Sequence, residues 1–477
     1  MFSEASEVLA FISAEDVQTV DLKVTDLPGR WHHVTVPASR LTADDLAHGV
    51  GVDTSSYPGY KKVEAGDMRV VPDLSSGMVD EFCRARTLSF ICDIVEPISG
   101  EAYSRDPRGI ARKAEAHFST VVSPGHPVFS PELEFYLFSD VRYASEMNAA
   151  GYEVDSAEAP WNMDADEMPN LAHKIPAHGG YHAAPPRDLL NDARTAMMLA
   201  IERAGVECHY HHHEVGAPGQ VEIEVGLGPL LQMADATMKM KYIIRNTAVR
   251  EGLSATFMPK PMFGEAGNGM HVHQYVTHGG KSLFWDPADC YAHLSPLALQ
   301  WIGGLLKHAA ALLAFCSPST NSYRRLVPGY EAPISAFFGL SNRTAAIRVP
   351  AYAVNERENR IEFRPPDATC NPYLCLAAMT MAGLDGVRQG IDPAAHNFGP
   401  FDQDVTKMPA EDRARIVQLP TSLADALDAL KADHEFLLAG GVFTEDIIQA
   451  WIAFKRDEVS AVDLRPHPHE YVLYYDL

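Results

Sequence analysis

Four short segments alternate apolar residues with charged or metal-binding ones at a period of two. In SPELEFYLF, Glu132 and Glu134 are interleaved with Leu133 and Phe135; in VEIEV, Glu222 and Glu224 alternate with Val221, Ile223 and Val225. In GMHVHQY, His271 and His273 alternate with Met270 and Val272, and in RIEFRPP, Arg360, Glu362 and Arg364 alternate with Ile361 and Phe363. Side chains two apart on a β-strand point to the same face, so each segment is predicted to be a strand with one apolar and one charged face. Taken singly, each also reads as an antiparallel strand with its polar face in water. Taken together they are more restrictive, because solvated strands mix Lys, Thr and Gln, whereas these polar positions are almost wholly Glu, His and Arg. On one concave sheet such carboxylates cannot all ionise side by side without cations. Carboxylates with a single imidazole suit Mg²⁺ or Mn²⁺ better than zinc.

A second set of residues supplies fixed positive charge. Arg325 lies in NSYRRLVPGYEAP, Arg343 and Arg348 lie in SNRTAAIRVP, and Arg360 and Arg364 flank Glu362. Planar guanidinium groups bind carboxylates and phosphates bidentately. Several Arg beside carboxylate-bound metal are what a nucleoside triphosphate and an acidic substrate require, although surface Arg paired with acids is the other reading of each one alone. Two phosphate-binding patterns fail. Gly280-Lys281-Ser282 lacks the leading Gly of a P-loop, since Tyr275 stands there, and Gly267-Asn268-Gly269 lacks a third Gly and runs into a strand pattern. The run His209 to His213 leads directly into Glu214 and is expected to pack around that carboxylate rather than to hold zinc.

The chain of 477 residues carries 39 Lys and Arg against 63 Asp and Glu, a net charge of −24. So acidic a surface argues against nucleic acid or an anionic membrane as a partner. The apolar stretch Leu297–Phe315 contains Lys307 and His308, which a bilayer would penalise, and is expected to be one long core helix. An odd number of scattered cysteines, seven, with no CxxC spacing fits a reducing cytoplasm. Residues 1 to about 100 hold β-branched runs (VQTVDLKVTD, WHHVTVP, MRVVPD, LSFICDIV) and are predicted to form a small β-rich domain. Asp106 and Pro107 then read as the N-cap and first residue of a helix. Ser422 and Thr444 each read as opening a helix near the C-terminus. Residues 141–190, rich in Pro, Gly, Asp and His, are expected to be long loops over a site.

The segments SPELEF, HHHEVGAPGQVE, FMPKPMFG with GNGMHVH, NSYRRLVPGYEAP, NRTAAIRVP and RIEFRPPDATCNPYL resemble, in order and spacing, the signature blocks of bacterial type I glutamine synthetase. The resemblance implies an α+β fold: a small β-grasp-like N-terminal domain, residues 1–103, and a large catalytic domain, residues 104–477, with a curved antiparallel sheet. It implies ligation of ammonia to L-glutamate with ATP through a γ-glutamyl phosphate, in a dodecamer of two hexameric rings with active sites between subunits. By the same resemblance Glu134, Glu214 and Glu222 hold one metal ion, and Glu132, His271 and Glu362 hold a second, each Mg²⁺ or Mn²⁺. Arg325, Arg364 and Gly267 are implied to hold glutamate, and His273, Arg343, Arg348 and Arg360 the phosphates. Glu331 is implied to shield the intermediate and take a proton, and Asp53, with Ser56 beside it, to serve the ammonium site of a neighbouring subunit.

The chain departs from the family pattern at Thr54 in the Asp53 loop, Ala266 in the glutamate loop, Tyr275 and Leu227 near the nucleotide. These changes bear on affinity rather than on reaction type. Two alternatives within the same resemblance are a glutamate–organic amine ligase and a non-catalytic assembly-forming relative. Asp53 argues against the first, because an anionic pocket serves ammonium. The intact set of six candidate metal ligands argues against the second.

Overall fold

The computed structural model describes residues 2–163, 170–288, 290–403 and 405–477, with the side chains of residues 406 and 412 outside that description. The four predicted N-terminal strands form, as β1 (Thr19–Thr25), β2 (Trp31–Pro37), β4 (Asp67–Pro72) and β6 (Thr87–Val95), and two short strands outside those runs, β3 (Val50–Asp53) and β5 (Met78–Asp80), join them. They make one sheet in the order β2-β1-β6-β4-β3, with β5 on β6 and β1 and β6 running parallel. Strand β3 is therefore an edge strand. Asp53, at its C-terminal end, is exposed and accepts a hydrogen bond from the Ser55 amide at 2.8 Å.

The second sheet is curled and mixed, and is built around one long strand, β7 (His126–Phe138). A two-stranded hairpin follows, β8 (Asp140–Ser145) and β9 (Ala150–Asp155), paired only with each other. Residues 141–190 are thus not all loop, as the composition suggested: alternating residues such as Val141, Tyr143, Tyr152 and Val154 carry strand propensity through the first part. The remaining strands are β10 (Cys208–His213), β11 (Gln220–Val225), β12 (Gly228–Pro229), β13 (Ser254–Thr256), β14 (Val272–His278), β15 (Lys281–Ser282), β16 (Phe338–Leu340), β17 (Ile347–Val349) and β18 (Ile361–Phe363). Their order is β10-β11-β7-β14-β18-β17-β16, with β12 and β13 on β7 and β15 on β14. All pairs are antiparallel except β16 with β17, so the expected antiparallel sheet ends in one parallel pair.

Helices cover the apolar face of this sheet. Asp106 caps the helix Pro107–Val121 through the Arg108 and Gly109 amides, and Ser422 caps Leu423–Ala432 through Asp425, as their sequences predict. The stretch expected to be one long helix is two, Pro296–Lys307 and Ala309–Cys316, bent by 74°. The break falls at His308, whose two ring nitrogens are bonded to Asp433 (2.8 Å) and Asp385 (2.9 Å) while its ring stacks on Phe436. Among the described residues no single helix is long and apolar enough to cross a membrane.

Several contacts tie the small sheet to the body of the large one, among them the bond of Tyr242 to Asp80 at 2.8 Å and two networks centred on the buried Asn371 and Arg108. Asn371 caps the helix Pro372–Gln389 and donates to the Asp26 and Leu27 carbonyls at 3.2 and 3.0 Å. Gly29, at φ +93°, lets that turn approach, since a Cβ there would lie 2.9 Å from the Asn371 Cα. Arg108, 2% exposed, bonds Asp73 (2.6 Å) and Asp93 (2.7 Å) of the small sheet region and Asp235 (2.8 Å) of the long helix Leu230–Arg250. Removing a buried charge partnered this way leaves its carboxylates uncompensated. Arg108→Leu is therefore expected to lower unfolding free energy by roughly 3–5 kcal/mol, measured by urea denaturation; a change below about 1 kcal/mol would show that the network does not hold the two sheets together.

Candidate active site

The register of the large sheet converts the alternation of four separate segments into rows. Across β10, β11 and β7, His212 faces Glu222, which faces Glu134; one step along, Tyr210 faces Glu224, which faces Glu132. Across β17, β18 and β14, Arg348 faces Glu362, which faces His273. The intervening Leu133, Phe135, Val221, Ile223, Val272, Ile361 and Phe363 are fully buried in the core on the other side. One face of the sheet is thereby apolar, and the other concentrates carboxylates, imidazoles and guanidiniums.

That polar face floors a cavity of about 1140 Å³. It is lined by twelve of the residues singled out from sequence: Glu132, Glu134, Glu214, Glu222, Gly267, His271, Arg325, Glu331, Arg343, Arg348, Glu362 and Arg364. His273 and Arg360 stand behind the lining: His273 is bonded to Glu132 at 2.7 Å and Arg360 to His273 at 3.3 Å. Asp53, at the end of β3, and Ser56, in the turn that follows it, do not line this cavity.

Electrostatics divide the carboxylates into two groups. Burial, and then the neighbouring Glu134, push the Glu214 carboxyl up to about 8. Burial pushes Glu222 well above the carboxylate range, with Glu132, Glu214 and Glu134 all adding to the effect. Glu132 goes the other way, since His273 and His271 outweigh its burial and hold it well below its ordinary value. Glu362 is likewise buried, yet the Arg364 guanidinium holds it down to about 2. Glu132 and Glu362 thus have imidazole and guanidinium groups beside them, whereas Glu214 and Glu222 lie among carboxylates, with the His212 ring 3.7 Å from both.

The donor set fits hard divalent cations. Ligand atoms of His212, Glu214 and Glu222 lie within 4.8 Å of one another, as do those of Glu132, His273 and Glu362. His271 Nδ1 lies 3.2 Å from Glu132, 3.7 Å from Glu134 and 3.8 Å from Glu362. Carboxylate oxygens with one imidazole suit Mg²⁺ or Mn²⁺. A metal ion between Glu214 and Glu222 would also remove the repulsion that raises them. Gly269 allows the sheet to close here, because a Cβ on it would fall 2.7 Å from His271 Nε2; its amide donates to Glu134 at 2.7 Å.

Opposite the carboxylates lie the guanidiniums. Arg348 donates to Glu362 at 2.5 Å and Arg364 donates to the other Glu362 oxygen. The Nε groups of Arg348 and Arg364 are buried without a hydrogen-bond partner among the described residues. A buried orphan donor costs about 1–3 kcal/mol, which an anionic ligand can recover. Arg325 is different: its Nη groups donate to the Pro365, Pro366 and Arg364 carbonyls, so it braces the backbone that carries Arg364. Glu331 is exposed at the mouth, 3.8 Å from Arg343, with its carbonyl accepting from Arg364 at 3.3 Å.

Other lining residues fall outside the implied site set. His212, read with its tract as packing around Glu214, lies 3.7 Å from that carboxylate, and its place opposite Glu222 follows only from the β10–β11 register. The His tract packs less uniformly around Glu214 than expected: strand alternation turns His211 away from His212 and onto Arg194 and Thr195, while His213, at the strand end, bonds the Glu214 carbonyl at 2.7 Å. His178, Tyr181 and His182 reach the cavity from the later part of residues 141–190, where the composition placed loops over a site without marking these side chains, and Tyr352 lies near Arg348 and Arg360. Among the departures, Thr54 is buried and bonded to the Gly66 carbonyl, and the Ala266 carbonyl accepts from Tyr136 at 2.7 Å. If Glu222 ligates a divalent ion, Glu222→Ala should weaken Mn²⁺ binding at least ~10-fold. The free-Mn²⁺ paramagnetic resonance signal during titration reads this, and unchanged binding would remove Glu222 from the metal set.

Residues 16–97 match the family described as glutamine synthetase, beta-Grasp domain, and residues 104–474 match glutamine synthetase, catalytic domain. The glutamine synthetase of Streptomyces coelicolor is 46% identical over 478 residues, covering 100% of both chains. That of Mycobacterium tuberculosis is 44% identical over 476 residues, covering 99% of this chain and 98% of the relative. Among solved structures, the cryo-electron microscopy structure of Plasmodium falciparum glutamine synthetase superposes with a TM-score of 0.89 at 28% identity, covering 99% of each chain. A sheet that gathers the family's charged segments onto one face, in a chain matched along almost its whole length, belongs to the glutamine synthetase family.

Proposed function

We propose that the protein ligates ammonia to L-glutamate with ATP, releasing L-glutamine, ADP and phosphate through a γ-glutamyl phosphate. The observation that carries this reading is the confrontation, in one cavity, of a buried carboxylate group with Arg343, Arg348 and Arg364. A carboxylate does not condense with ammonia at neutral pH, because its leaving group is poor. Phosphorylating it supplies a leaving group, and the charge that shifts during that transfer must be met by fixed cations.

Glu134, Glu214 and Glu222 would hold one Mg²⁺ or Mn²⁺ ion, with His212 at their edge, and Glu132, His271 and Glu362 another. Bound there, such ions neutralise the triphosphate and polarise its terminal phosphoryl group. The protein's own groups do the rest. Arg364, braced by Arg325, and the Gly267 loop orient glutamate. Arg343, Arg348 and Arg360 face the phosphates, and His273 fixes Glu132 from behind. Ammonium is no nucleophile until it loses a proton, so an anionic pocket must bind and deprotonate it. Asp53, with Ser56, serves that pocket from a neighbouring subunit, and Glu331 takes a proton while covering the intermediate from water.

This arrangement needs an oligomer, and a dodecamer of two rings with sites between subunits accommodates it. The exposed position of Asp53 on an edge strand supports a shared site. The division near residue 103 and a cytoplasmic setting, in keeping with seven free cysteines, complete the reading. Phosphate and glutamine production from ATP and glutamate, compared across ammonium, methylamine and putrescine, tests it; preference for an organic amine would favour an amide synthetase of the same fold. The shared site has its own test. Glu362→Ala and Asp53→Ala subunits should each be inactive alone and partly active when dissociated and reassembled together, because some interfaces then pair two intact halves. No activity in verified mixed assemblies would place Asp53 outside the site.

A further inference from the structure

A contact outside the residues discussed so far joins the loop carrying Gly267 to the segment carrying Glu331. Lys260, in FMPKPMFG, is gripped at its backbone by Asn321: its amide donates to Asn321 Oδ1 at 2.7 Å and its carbonyl accepts from Asn321 Nδ2 at 3.1 Å. The neighbouring Pro259 carbonyl accepts from the Asn268 amide at 2.8 Å. Lys260 is therefore fixed relative to Gly267 on one side and to the Ser322–Arg325 turn on the other. Its ammonium donates to the Glu265 carbonyl and sits 3.8 Å from the centroid of the Tyr330 ring.

Tyr330 directly precedes Glu331, and the segment they belong to has few other restraints. Pro328, Gly329 and Glu331 are exposed, and a Cβ at Gly329 (φ +97°) would meet nothing. Glu331 itself holds φ +55°, a conformation that L-residues adopt only when their surroundings impose it. A half-buried ammonium held over a half-buried aromatic face is an attractive and directional contact. The segment also has Glu331 3.8 Å from Arg343 and the Tyr330 ring 6.2 Å from that of His178, and it is tied by the Arg364 hydrogen bond to the Glu331 carbonyl. The Lys260 and Arg364 ties come from the wall that faces glutamate.

We infer that Lys260 is a positioning residue: through its contact with the Tyr330 ring it latches the Glu331 segment over the acyl phosphate and keeps water out. The inference rests on the proposed ligase reaction. If the latch is loosened, water adds to the γ-glutamyl phosphate, the acyl C–O–P link opens, and glutamate and inorganic phosphate leave. ATP is then consumed without glutamine.

The ratio of phosphate released to glutamine formed reads this directly, in the full-length assembled protein with ATP, glutamate, ammonium and Mg²⁺. The wild type should give a ratio of about one, and Lys260→Met should raise it ~2- to 10-fold with a smaller change in the glutamate KM. Tyr330→Leu, which removes the ring from the other side, should do the same and carries the test alone if Lys260→Met fails to assemble. Lys260→Arg and Tyr330→Phe keep a cation over a ring and should return the ratio to near one. A ratio of one in both disruptive variants of an active enzyme would overturn the latch alone. A wild type that makes no glutamine would overturn the ligase reading, and the latch with it.

Discussion

The crowding of carboxylates on one buried sheet face is the constraint around which the rest of the molecule is arranged. Glu132, Glu134, Glu222, Glu224 and Glu362 are all less than a tenth exposed, and the strand register leaves them no way to separate. Like charges this close cannot all ionise without cations. Two compensations are visible. Guanidinium and imidazole groups hold Glu362 and Glu132 ionised, while burial and neighbouring carboxylates outweigh the His212 imidazole beside Glu214 and Glu222 and push them toward the neutral form. Such a site sacrifices stability in the free protein for affinity toward divalent cations and the phosphates they carry.

The scaffold makes that concentration of charge tolerable. Strand β7, thirteen residues long, pairs with β14 along its first half and with β11 along its second, so it brings the His271 strand and the Glu222 strand to the same floor. Beneath it, an apolar layer continuous with the helices supplies the burial that offsets the polar face. The small sheet is locked to this body by Arg108 and Asn371, which sets the direction in which the Asp53 edge projects.

Much of the site was legible because its signal is local. Alternation at period two marked Glu132 with Glu134, His271 with His273, and Glu362 between its two Arg, and the structure places all of these on or directly behind the cavity wall. The pairing of strands is not local. Nothing in VEIEV says that Glu222 faces Glu134 on one side and His212 on the other, so the His tract pointed to Glu214 but not to the contact of His212 with Glu222. Tyr181 and His182 lie in a loop whose path is set by tertiary contacts. Arg325 reads in sequence as an anion-binding group; that its Nη groups also reach three backbone carbonyls and His271 is a fact no motif carries. The bend at His308 has the same origin: an apolar helical pattern runs through it, and only Asp385 and Asp433, distant in the chain, show why it breaks.

In the proposed reaction this cavity transfers a phosphoryl group to the glutamate side chain before nitrogen arrives. Glutamate whose side-chain carboxylate is labelled with heavy oxygen, turned over with ATP, ammonium and Mg²⁺, tests it most directly by mass analysis of the products. One labelled oxygen should pass into each inorganic phosphate released, because the bridging oxygen of the acyl phosphate leaves with phosphorus when ammonia displaces it. Glutamine formed with unlabelled phosphate would contradict the account.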